Sequence, residues 1–212
     1  YPHFAESTIT TSVEQAKAVI KKHQLPVKLN VVSPFYQQDD YISALVESAQ
    51  SYLTEPFDHL VFSYHGLPES HITKLDTSGG HCLKNGECCQ VANPAHNTCY
   101  RHQIMMTTER FVEKAGLSET QYSVAFQSRL GRAKWLDPNT EDRLKELAAA
   151  GAKNILVICP AFVTDCLETL EEIAIRGQEV FEKAGGEKLT LIPCLNQHPK
   201  WVETLAAWCV NK

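Results

Sequence analysis

Short continuous runs of apolar residues alternate along this chain with longer segments whose apolar residues recur every three or four positions. The runs are rich in Val, Ile and Leu, as strands of a parallel sheet buried on both faces usually are. The periodic segments predict amphipathic helices. The predicted strands are 28–32, 59–64, 122–127, 153–159 and 189–193, and the predicted helices are 14–23, 41–53, 103–115, 141–150, 166–184 and 200–211. This order predicts an α/β fold, with a parallel sheet flanked by helices.

Helix-end residues support several of these boundaries. Asp39 or Asp40 can cap the helix that begins near residue 41, because a carboxylate accepts hydrogen bonds from the first free backbone N–H groups. Gly116 and Gly151 follow two other predicted helices, a position where glycine often ends a helix. In the last helix, Trp201, Leu205 and Trp208 are expected on one face.

Four of the predicted strands lead directly into chemically unusual clusters. The clusters are residues 33–36, 65–68 and 127–129, and Pro160 with the following helix that carries Glu168 and Glu172. In open parallel sheets, ligands bind outside the carboxyl ends of the strands. The sequence therefore predicts one cleft at this edge, able to bind a ring-shaped ligand and to handle a metal.

His65 and the acidic pair are the candidate catalytic residues. An imidazole at a strand end, followed by Gly66, suits proton transfer or metal ligation near neutral pH, although His65 could also be an ordinary buried histidine. Glu168 and Glu172 are four residues apart, which places both carboxylates on one helix face. The alternative for Glu172 is a solvent-facing ion pair with Arg176.

Aromatic and polar residues near the same strand ends are candidate ligand contacts, although buried aromatic residues more often belong to a core. They are Phe35, Tyr36, Gln127, Ser128, Arg129 and Trp135.

The eight cysteines fall into two groups. Four lie in apolar periodic segments and are expected to be small buried hydrophobic residues: Cys159, Cys166, Cys194 and Cys209. The other four lie in or at the end of the polar segment 72–98, which has no periodicity: Cys82, Cys88, Cys89 and Cys99. Their spacing lacks the paired C-x2-C of most zinc sites, although His81 and His96 could complete one. Four converging thiolates would also suit an iron–sulfur cluster, and free reactive thiols are the remaining alternative.

Composition limits the functional class. The 212 residues are 43% hydrophobic, enough for one large or two small domains, and the net charge of −5 argues against nucleic-acid binding. No apolar run is long enough to span a membrane, and no signal peptide is evident. A reducing cytoplasmic setting is expected, with peripheral membrane association left open. Because the first residue is Tyr1 rather than Met, a processed chain or a fragment is expected.

Four motifs, in family order along nearly the whole chain, resemble ferrochelatase. Residues 1–8 resemble the family's Tyr-Pro-Gln-Tyr-Ser-x-Ser-Thr segment, with His3 where the family has Gln, and residues 63–68 resemble its histidine motif. Residues 126–129, with Trp135-Leu136, are similar to the family's Gln-Ser-Arg/Lys motif, and residues 159–173 are similar to the family's acidic helix.

This resemblance implies a chelatase-type Rossmann-like fold and insertion of Fe(II) into a porphyrin, protoporphyrin IX or coproporphyrin III. It implies that His65 ligates the metal or accepts a pyrrole proton, with Glu168 as the opposing acid–base or metal contact. Glu172 would continue a carboxylate path. Two positions depart from the family, since several members have His where Cys166 stands and many have an acidic residue where Arg176 stands.

The resemblance also implies a domain arrangement and a cofactor. Residues 1–195 would be the second Rossmann-like domain, and 196–212 a terminal helix that packs on a missing N-terminal half. The 72–99 insert resembles microbial ferrochelatases in which four cysteines hold a [2Fe-2S] cluster. Two alternatives stay open: a cobalt or nickel chelatase on the same scaffold, and a non-catalytic iron–sulfur or zinc module that senses redox state.

Overall fold

A four-stranded parallel sheet forms the centre of the molecule. The computed structural model describes residues 1–210. The strands are β1 (His59–His65), β2 (Tyr122–Gln127), β3 (Asn154–Ile158) and β4 (Lys188–Leu191), in the spatial order β2-β1-β3-β4. All three pairings are parallel, and the register sets His65 opposite Gln127. The predicted α/β class and the strand positions near 59–64, 122–127, 153–159 and 189–193 are therefore confirmed.

Helices cover both faces of this sheet. They are α1 (Thr11–Lys22), α2 (Asp39–Leu53), α3 (Glu69–Thr73), α4 (Tyr100–Ala115), α5 (Thr140–Ala149), α6 (Leu167–Thr169), α7 (Gln178–Lys183) and α8 (Pro199–Val210). A π-helical turn, Glu6–Thr10, precedes α1, and a longer π-helical segment, Leu170–Gly177, joins α6 to α7. The single helix predicted over 166–184 is thus a helix with a wide π-helical middle.

The hydrophobic core has one layer on each side of the sheet. Phe62 and Tyr64 of β1 point to the side of α2 and α4, and both are fully buried. Val61 of β1 and Val157 of β3 pack on the other side, against α5 and Phe181 of α7. This alternation explains why the strands read as continuous apolar runs, since both faces of each strand are covered.

The strand predicted over 28–32 is wrong. Residues 25–34 have no regular secondary structure and belong to no strand of the described sheet. Val27, Leu29, Val31 and Val32 are 56%, 38%, 45% and 37% exposed. Alternating apolar residues favour a strand only where a neighbouring strand supplies hydrogen bonds, and none of the four strands lies beside this segment.

Helix α8 packs through Trp201, which is 3% exposed and lies against Phe35 and Tyr41. Trp208 also contacts Phe35, with ring centroids 4.8 Å apart. Leu205, expected on the same buried face, is 40% exposed and does not belong to the core. Residue 211, the predicted end of this helix, lies outside the described residues.

Two further details differ from the sequence-based expectation. Gln38 is the N-cap of α2, and Asp39 and Asp40 lie in its first turn, where Asp39 accepts from Lys114. Of the four cysteines expected to be buried, Cys159 and Cys194 are buried, whereas Cys166 is half-buried and Cys209 is exposed. Within residues 1–210, no helix has the length and apolar character needed to cross a membrane.

Gly186 fits tightly under α7, and this packing predicts a stability effect. A Cβ atom at this position would overlap the buried ring of Phe181. We expect Gly186→Ala to lower the free energy of unfolding by about 1–3 kcal/mol, the usual range for overpacking a core. Urea unfolding measures this. Gly86→Ala is the control, because nothing lies within 4 Å of its added Cβ, and equal stability of the two variants would contradict the packing.

Candidate functional site

A cavity of about 240 Å³ opens at the carboxyl end of β1. Most of its walls come from the N-terminal segment, from the residues that follow β1, and from the turn that follows β3. The lining residues are Tyr1, Pro2, His3, Ala5, Ser7, Thr8, His65, Leu67, Tyr100, Ala161, Phe162 and Glu168. The cavity is mainly apolar, and His65 and Glu168 bring a base and an acid to it. This is the strand edge at which the sequence predicted a cleft.

His65 is held so that one ring nitrogen stays available. Its Nδ1 lies 2.6 Å from the carbonyl oxygen of Gly66, and because a carbonyl can only accept, Nδ1 must carry the proton. In the neutral ring, Nε2 then keeps its lone pair and can accept a proton or bind a metal. The backbone of His65 is also held, since the Tyr100 hydroxyl donates to its carbonyl at 2.8 Å.

Glu168 is kept ionised. The Cys166 thiol and the backbone N–H of Glu168 donate to its carboxylate, and these hydrogen bonds hold the pKa of Glu168 below its usual range. Burial and this same carboxylate raise the pKa of Cys166, so the thiol keeps the proton that it donates. The cavity therefore contains an anionic oxygen donor and, in the neutral ring of His65, a nitrogen whose lone pair is available.

Gln127 ties the strand edge to the helix that carries Glu168. Its side chain is buried and accepts from Ser63 at 2.8 Å. Its amide nitrogen donates to the main-chain carbonyl of Glu168 at 2.6 Å. Since Gln127 lies opposite His65 in the register, this single side chain fixes the position of Glu168 relative to His65.

Glu172 does not line the cavity, although it lies four residues after Glu168. Its two carboxylate oxygens accept from the backbone N–H and the hydroxyl of Ser128, at 2.7 and 2.6 Å. Ser128 has φ +66°, a strained conformation for a residue with a side chain, so Glu172 braces the turn after β2. The ion pair with Arg176 considered from the sequence is also present, at 3.4 Å.

The remaining sequence-predicted contact residues lie outside the cavity lining. Phe35 is buried against Tyr41 and the tryptophans of α8. Tyr36 is half-buried, and its carbonyl accepts from Thr107. Arg129 is exposed and pairs with Asp137 at 3.3 Å. Trp135 is 9% exposed and packs next to Gly66, where a Cβ would lie 3.2 Å from its ring.

Ten of the twelve lining residues were not among the sequence-predicted site residues, and three of these ten have aromatic side chains of interest: His3, Tyr100 and Phe162. His3 is 2% exposed, and burial lowers its pKa to about 3, so it is neutral. Its Nε2 lies 2.9 Å from the Thr107 hydroxyl, and its Nδ1 has no hydrogen-bond partner. His3 and Phe162 fall within the family-like motifs, whereas Tyr100 carries no local signal and is recognisable only from the three-dimensional contact.

The cysteine loop is folded around its thiols. Cys82, Cys88 and Cys99 are buried, and Cys89 is half-buried. The thiols of Cys82 and Cys89 both hydrogen-bond to that of Cys99. Further donors surround the group: the Arg101 guanidinium lies 3.5 and 3.3 Å from the sulfurs of Cys88 and Cys89.

These contacts make the four thiols unequal. The hydrogen bond from Cys89 is the largest influence on Cys99 and lowers its pKa to about 6. Burial and the neighbouring Cys99 raise the pKa of Cys82 to about 12. The hydrogen bond to Cys99 and burial raise the pKa of Cys89 as well. Among Cys82, Cys89 and Cys99, the thiol of Cys99 is therefore the most readily ionised.

The loop histidines have backbone partners. The Nε2 atoms of His81 and His96 both donate to the carbonyl of Cys88, at 2.6 and 3.0 Å. The carboxylate of Asp76 accepts from the backbone N–H groups of His81 and Cys82, at 2.6 and 2.8 Å. Within residues 1–210, no group of three or more His, Cys, Asp or Glu side chains is arranged to hold a metal ion. Since the Nε2 atoms of His81 and His96 both donate to the Cys88 carbonyl, neither offers an Nε2 lone pair to zinc in this arrangement.

Comparison with known proteins identifies close relatives. Residues 1–212 match the family model for ferrochelatase. The ferrochelatases of Ectopseudomonas mendocina (strain ymp), Pseudomonas fluorescens (strain Pf0-1) and Stutzerimonas stutzeri (strain A1501) are 57%, 56% and 55% identical to this chain over 210 residues. Each alignment covers 99% of this chain and 62% of the relative, so the chain spans about 62% of the length of these relatives.

A solved structure supports the fold. SirB from Bacillus subtilis with Fe3+ superposes with a TM-score of 0.58 at 12% identity, covering 99% of this chain and 69% of that chain. At this identity the similarity concerns the fold alone, and it agrees with the chelatase-type arrangement expected from the sequence.

The brace between Glu172 and Ser128 generates a prediction. Glu172→Gln removes a charge-assisted pair of hydrogen bonds, so we expect it to lower the free energy of unfolding by about 1–3 kcal/mol. Urea unfolding at pH 7 measures the change. Glu171→Gln, at an exposed neighbouring position, should change stability little. The brace would be excluded if the two variants unfolded at the same urea concentration.

Proposed function

The chain belongs to the ferrochelatase family, and from this premise we propose that the longer protein of which it forms part inserts Fe(II) into a porphyrin during haem synthesis. The observation that carries the proposal is the cavity in which the available Nε2 of His65 and the ionised Glu168 occur together. Inserting Fe(II) releases two protons from the pyrrole nitrogens, so the site must offer both a proton acceptor and a donor atom for the metal.

The two groups suit different parts of this reaction. Because its pKa is lowered, the Glu168 carboxylate stays ionised, and its negative charge favours contact with incoming Fe(II). His65 has one available lone pair, at Nε2, which we assign to accepting a pyrrole proton. As each pyrrole N–H bond breaks, its electron pair stays on the nitrogen and binds Fe(II); one proton goes to Nε2 of His65 and the other to water.

The surrounding residues hold this pair in place. We propose that Gln127 and the Ser128–Glu172 brace are positioning groups, because each fastens the end of β2 to the acidic helix. Phe35 and Trp135 would shape the porphyrin site from beneath its surface, and Tyr36 and Arg129 would contact substrate only at its rim. The family's carboxylate path would continue from Glu168 to Glu172, where Ser128 already occupies both oxygens of Glu172.

The size of the cavity supports the proposed domain arrangement. Ligand sites usually measure about 300–1,000 Å³, and the volume of about 240 Å³ here falls below that range. We propose that residues 1–195 form the second Rossmann-like domain of the longer protein, and that an N-terminal half supplies the opposite wall. The exposed apolar residues of 27–32, and Val202 and Leu205 on α8, are surfaces that such a half would cover.

The substrate is proposed at the level of class. Protoporphyrin IX and coproporphyrin III present the same four pyrrole nitrogens to His65, and the cavity residues contact that shared centre. Cobalt or nickel insertion would use the same groups, so comparing the three metals in one insertion assay separates these possibilities.

We further propose that Cys82, Cys88, Cys89 and Cys99 bind a [2Fe-2S] cluster. Four thiols meet in one loop, and N–H groups of Leu83 and His102 approach the sulfurs of Cys88 and Cys99 at 3.4 and 3.5 Å. Such donors, together with Arg101, would offset the negative charge of four thiolates. Bound there, the cluster would supply a covalent clamp for the loop and a one-electron redox centre. A single metal ion is not supported, given the arrangement of the described side chains.

The cytoplasmic setting and peripheral membrane association expected from the sequence are proposals as well. Leu130, Leu167 and Leu170 are 81%, 73% and 52% exposed, and Leu167 and Leu170 flank Glu168 in sequence. We propose that these exposed leucines contact a membrane from which a hydrophobic porphyrin is delivered.

We expect His65→Ala in the full-length protein to lower iron insertion by at least about a hundredfold, the scale of losing a general base. Anaerobic insertion assays with protoporphyrin IX and coproporphyrin III measure this. His71→Ala, an exposed histidine outside the cavity lining, is the control and should retain activity. Near-normal turnover by a folded His65→Ala protein would overturn the proposed role.

We expect Ser substitution at any one of the four loop cysteines to remove visible absorption bands of the anaerobically purified protein and to make the loop sensitive to protease. The reason is that four thiolates are needed to complete the cluster. Cys209→Ser, at an exposed position, should change neither property. Stoichiometric zinc without acid-labile sulfide, or an ordered loop without any metal, would contradict the cluster.

A further inference from the structure

Tyr100 contacts the candidate site and directly follows the cysteine cluster in the chain. It is the first residue of α4, is 6% exposed, and lines the cavity beside His65. Its hydroxyl donates to the main-chain carbonyl of His65 at 2.8 Å. Its neighbour Cys99 is the N-cap of α4 and the thiol to which Cys82 and Cys89 hydrogen-bond. Cys99, which belongs to the cluster, and Tyr100, which contacts His65, are therefore joined by a single peptide bond.

The contact with His65 is placed where the sheet gives little support. β3 pairs with β1 only as far as Phe62, so the sheet is two strands wide at His65. The peptide that carries the imidazole is thus held partly by groups outside the sheet, and the Tyr100 hydroxyl is one of them. A buried carbonyl deprived of its donor is costly, so this bond constrains the His65 peptide strongly.

The tyrosine ring is itself fixed. It packs edge-on against His3, with ring centroids 5.8 Å apart. Burial raises the pKa of Tyr100, so the hydroxyl remains a hydrogen-bond donor throughout the neutral pH range. A shift of the first turn of α4 would therefore move the hydroxyl relative to His65, because packing against His3 limits how far the ring can turn.

We propose that Tyr100 is a positioning residue that couples the state of the cysteine cluster to the placement of His65. Cys99 caps the first turn of α4 by accepting from the backbone N–H of His102 at 3.5 Å. Binding of Cys99 to a metal centre, or loss of that centre, changes the direction and charge of this sulfur. The first turn of α4 then shifts, and the Tyr100 hydroxyl transmits the shift to the carbonyl of His65.

The test measures the reactivity of His65 without porphyrin, so it rests on the proposed function through the choice of His65 and through the cluster proposed at the four loop cysteines. Diethyl pyrocarbonate acylates an unprotonated imidazole nitrogen, and peptide mass spectrometry gives the rate at His65 separately from the other histidines. Rates are compared before and after removal of bound metal, in the unmodified full-length protein, in Tyr100→Phe and in Cys89→Ser. Tyr64→Phe is the matched control, because it loses a buried hydroxyl that bonds Thr108 and does not contact His65.

We expect metal removal or Cys89→Ser to change the His65 rate by about threefold or more in the unmodified protein and in Tyr64→Phe, the scale of one neutral hydrogen bond. In Tyr100→Phe, the same treatments should have no further effect. Tyr100→Phe should also lower kcat and shift the pH dependence of kcat, because His65 is the group assigned to accept a pyrrole proton, and a general loss of stability would not shift that pH profile.

The coupling is overturned if the effects of Cys89→Ser and Tyr100→Phe on the His65 rate are additive. If Tyr100→Phe does not fold, the unmodified protein alone still tests the coupling. There, a His65 acylation rate that is the same before and after metal removal overturns the proposal. An altered His65 rate together with full activity of His65→Ala would instead overturn the proposed function and leave the coupling intact.

Discussion

The arrangement of the site depends on the hydrogen bond from the Gln127 side chain to the main-chain carbonyl of Glu168. Parallel pairing in register brings His65 and Gln127 side by side at the end of the sheet. The acidic helix belongs to a different part of the chain, and this buried amide fastens its first turn to that edge. His65 and Glu168 can therefore face one cavity although 103 positions in the sequence separate them.

Much of the fold and the central pair of site residues could be predicted from the sequence, for clear physical reasons. Strands buried on both faces leave an unmistakable run of apolar residues, and the polar groups that end β1 and β2 must meet at one edge. The segment 28–32 has the same apolar pattern but no neighbouring strand, a fact that depends on the rest of the molecule. Tyr100 was missed for a similar reason, because its role is a single contact between its hydroxyl and a main-chain carbonyl.

The acidic helix shows where local spacing misleads. A separation of four residues predicts that Glu168 and Glu172 share a face and a task. Instead, Glu168 lies in the short α6 and lines the cavity, whereas Glu172 lies in the π-helical segment and braces Ser128. Ser128, in the turn after β2, occupies both carboxylate oxygens of Glu172. The carboxylate that remains available to a ligand in the cavity is therefore that of Glu168.

The central claim is that His65 presents an unprotonated Nε2 to the cavity while Nδ1 donates to Gly66. Nitrogen-15 NMR of the histidine side chains at neutral pH measures this most directly, because the two ring nitrogens give distinct shifts. The account predicts the Nδ1–H tautomer for His65 and a change confined to its Nε2 signal when a divalent metal such as Zn(II) or Co(II) is added. An Nε2–H tautomer, or an Nε2 signal that no divalent metal affects, would contradict it.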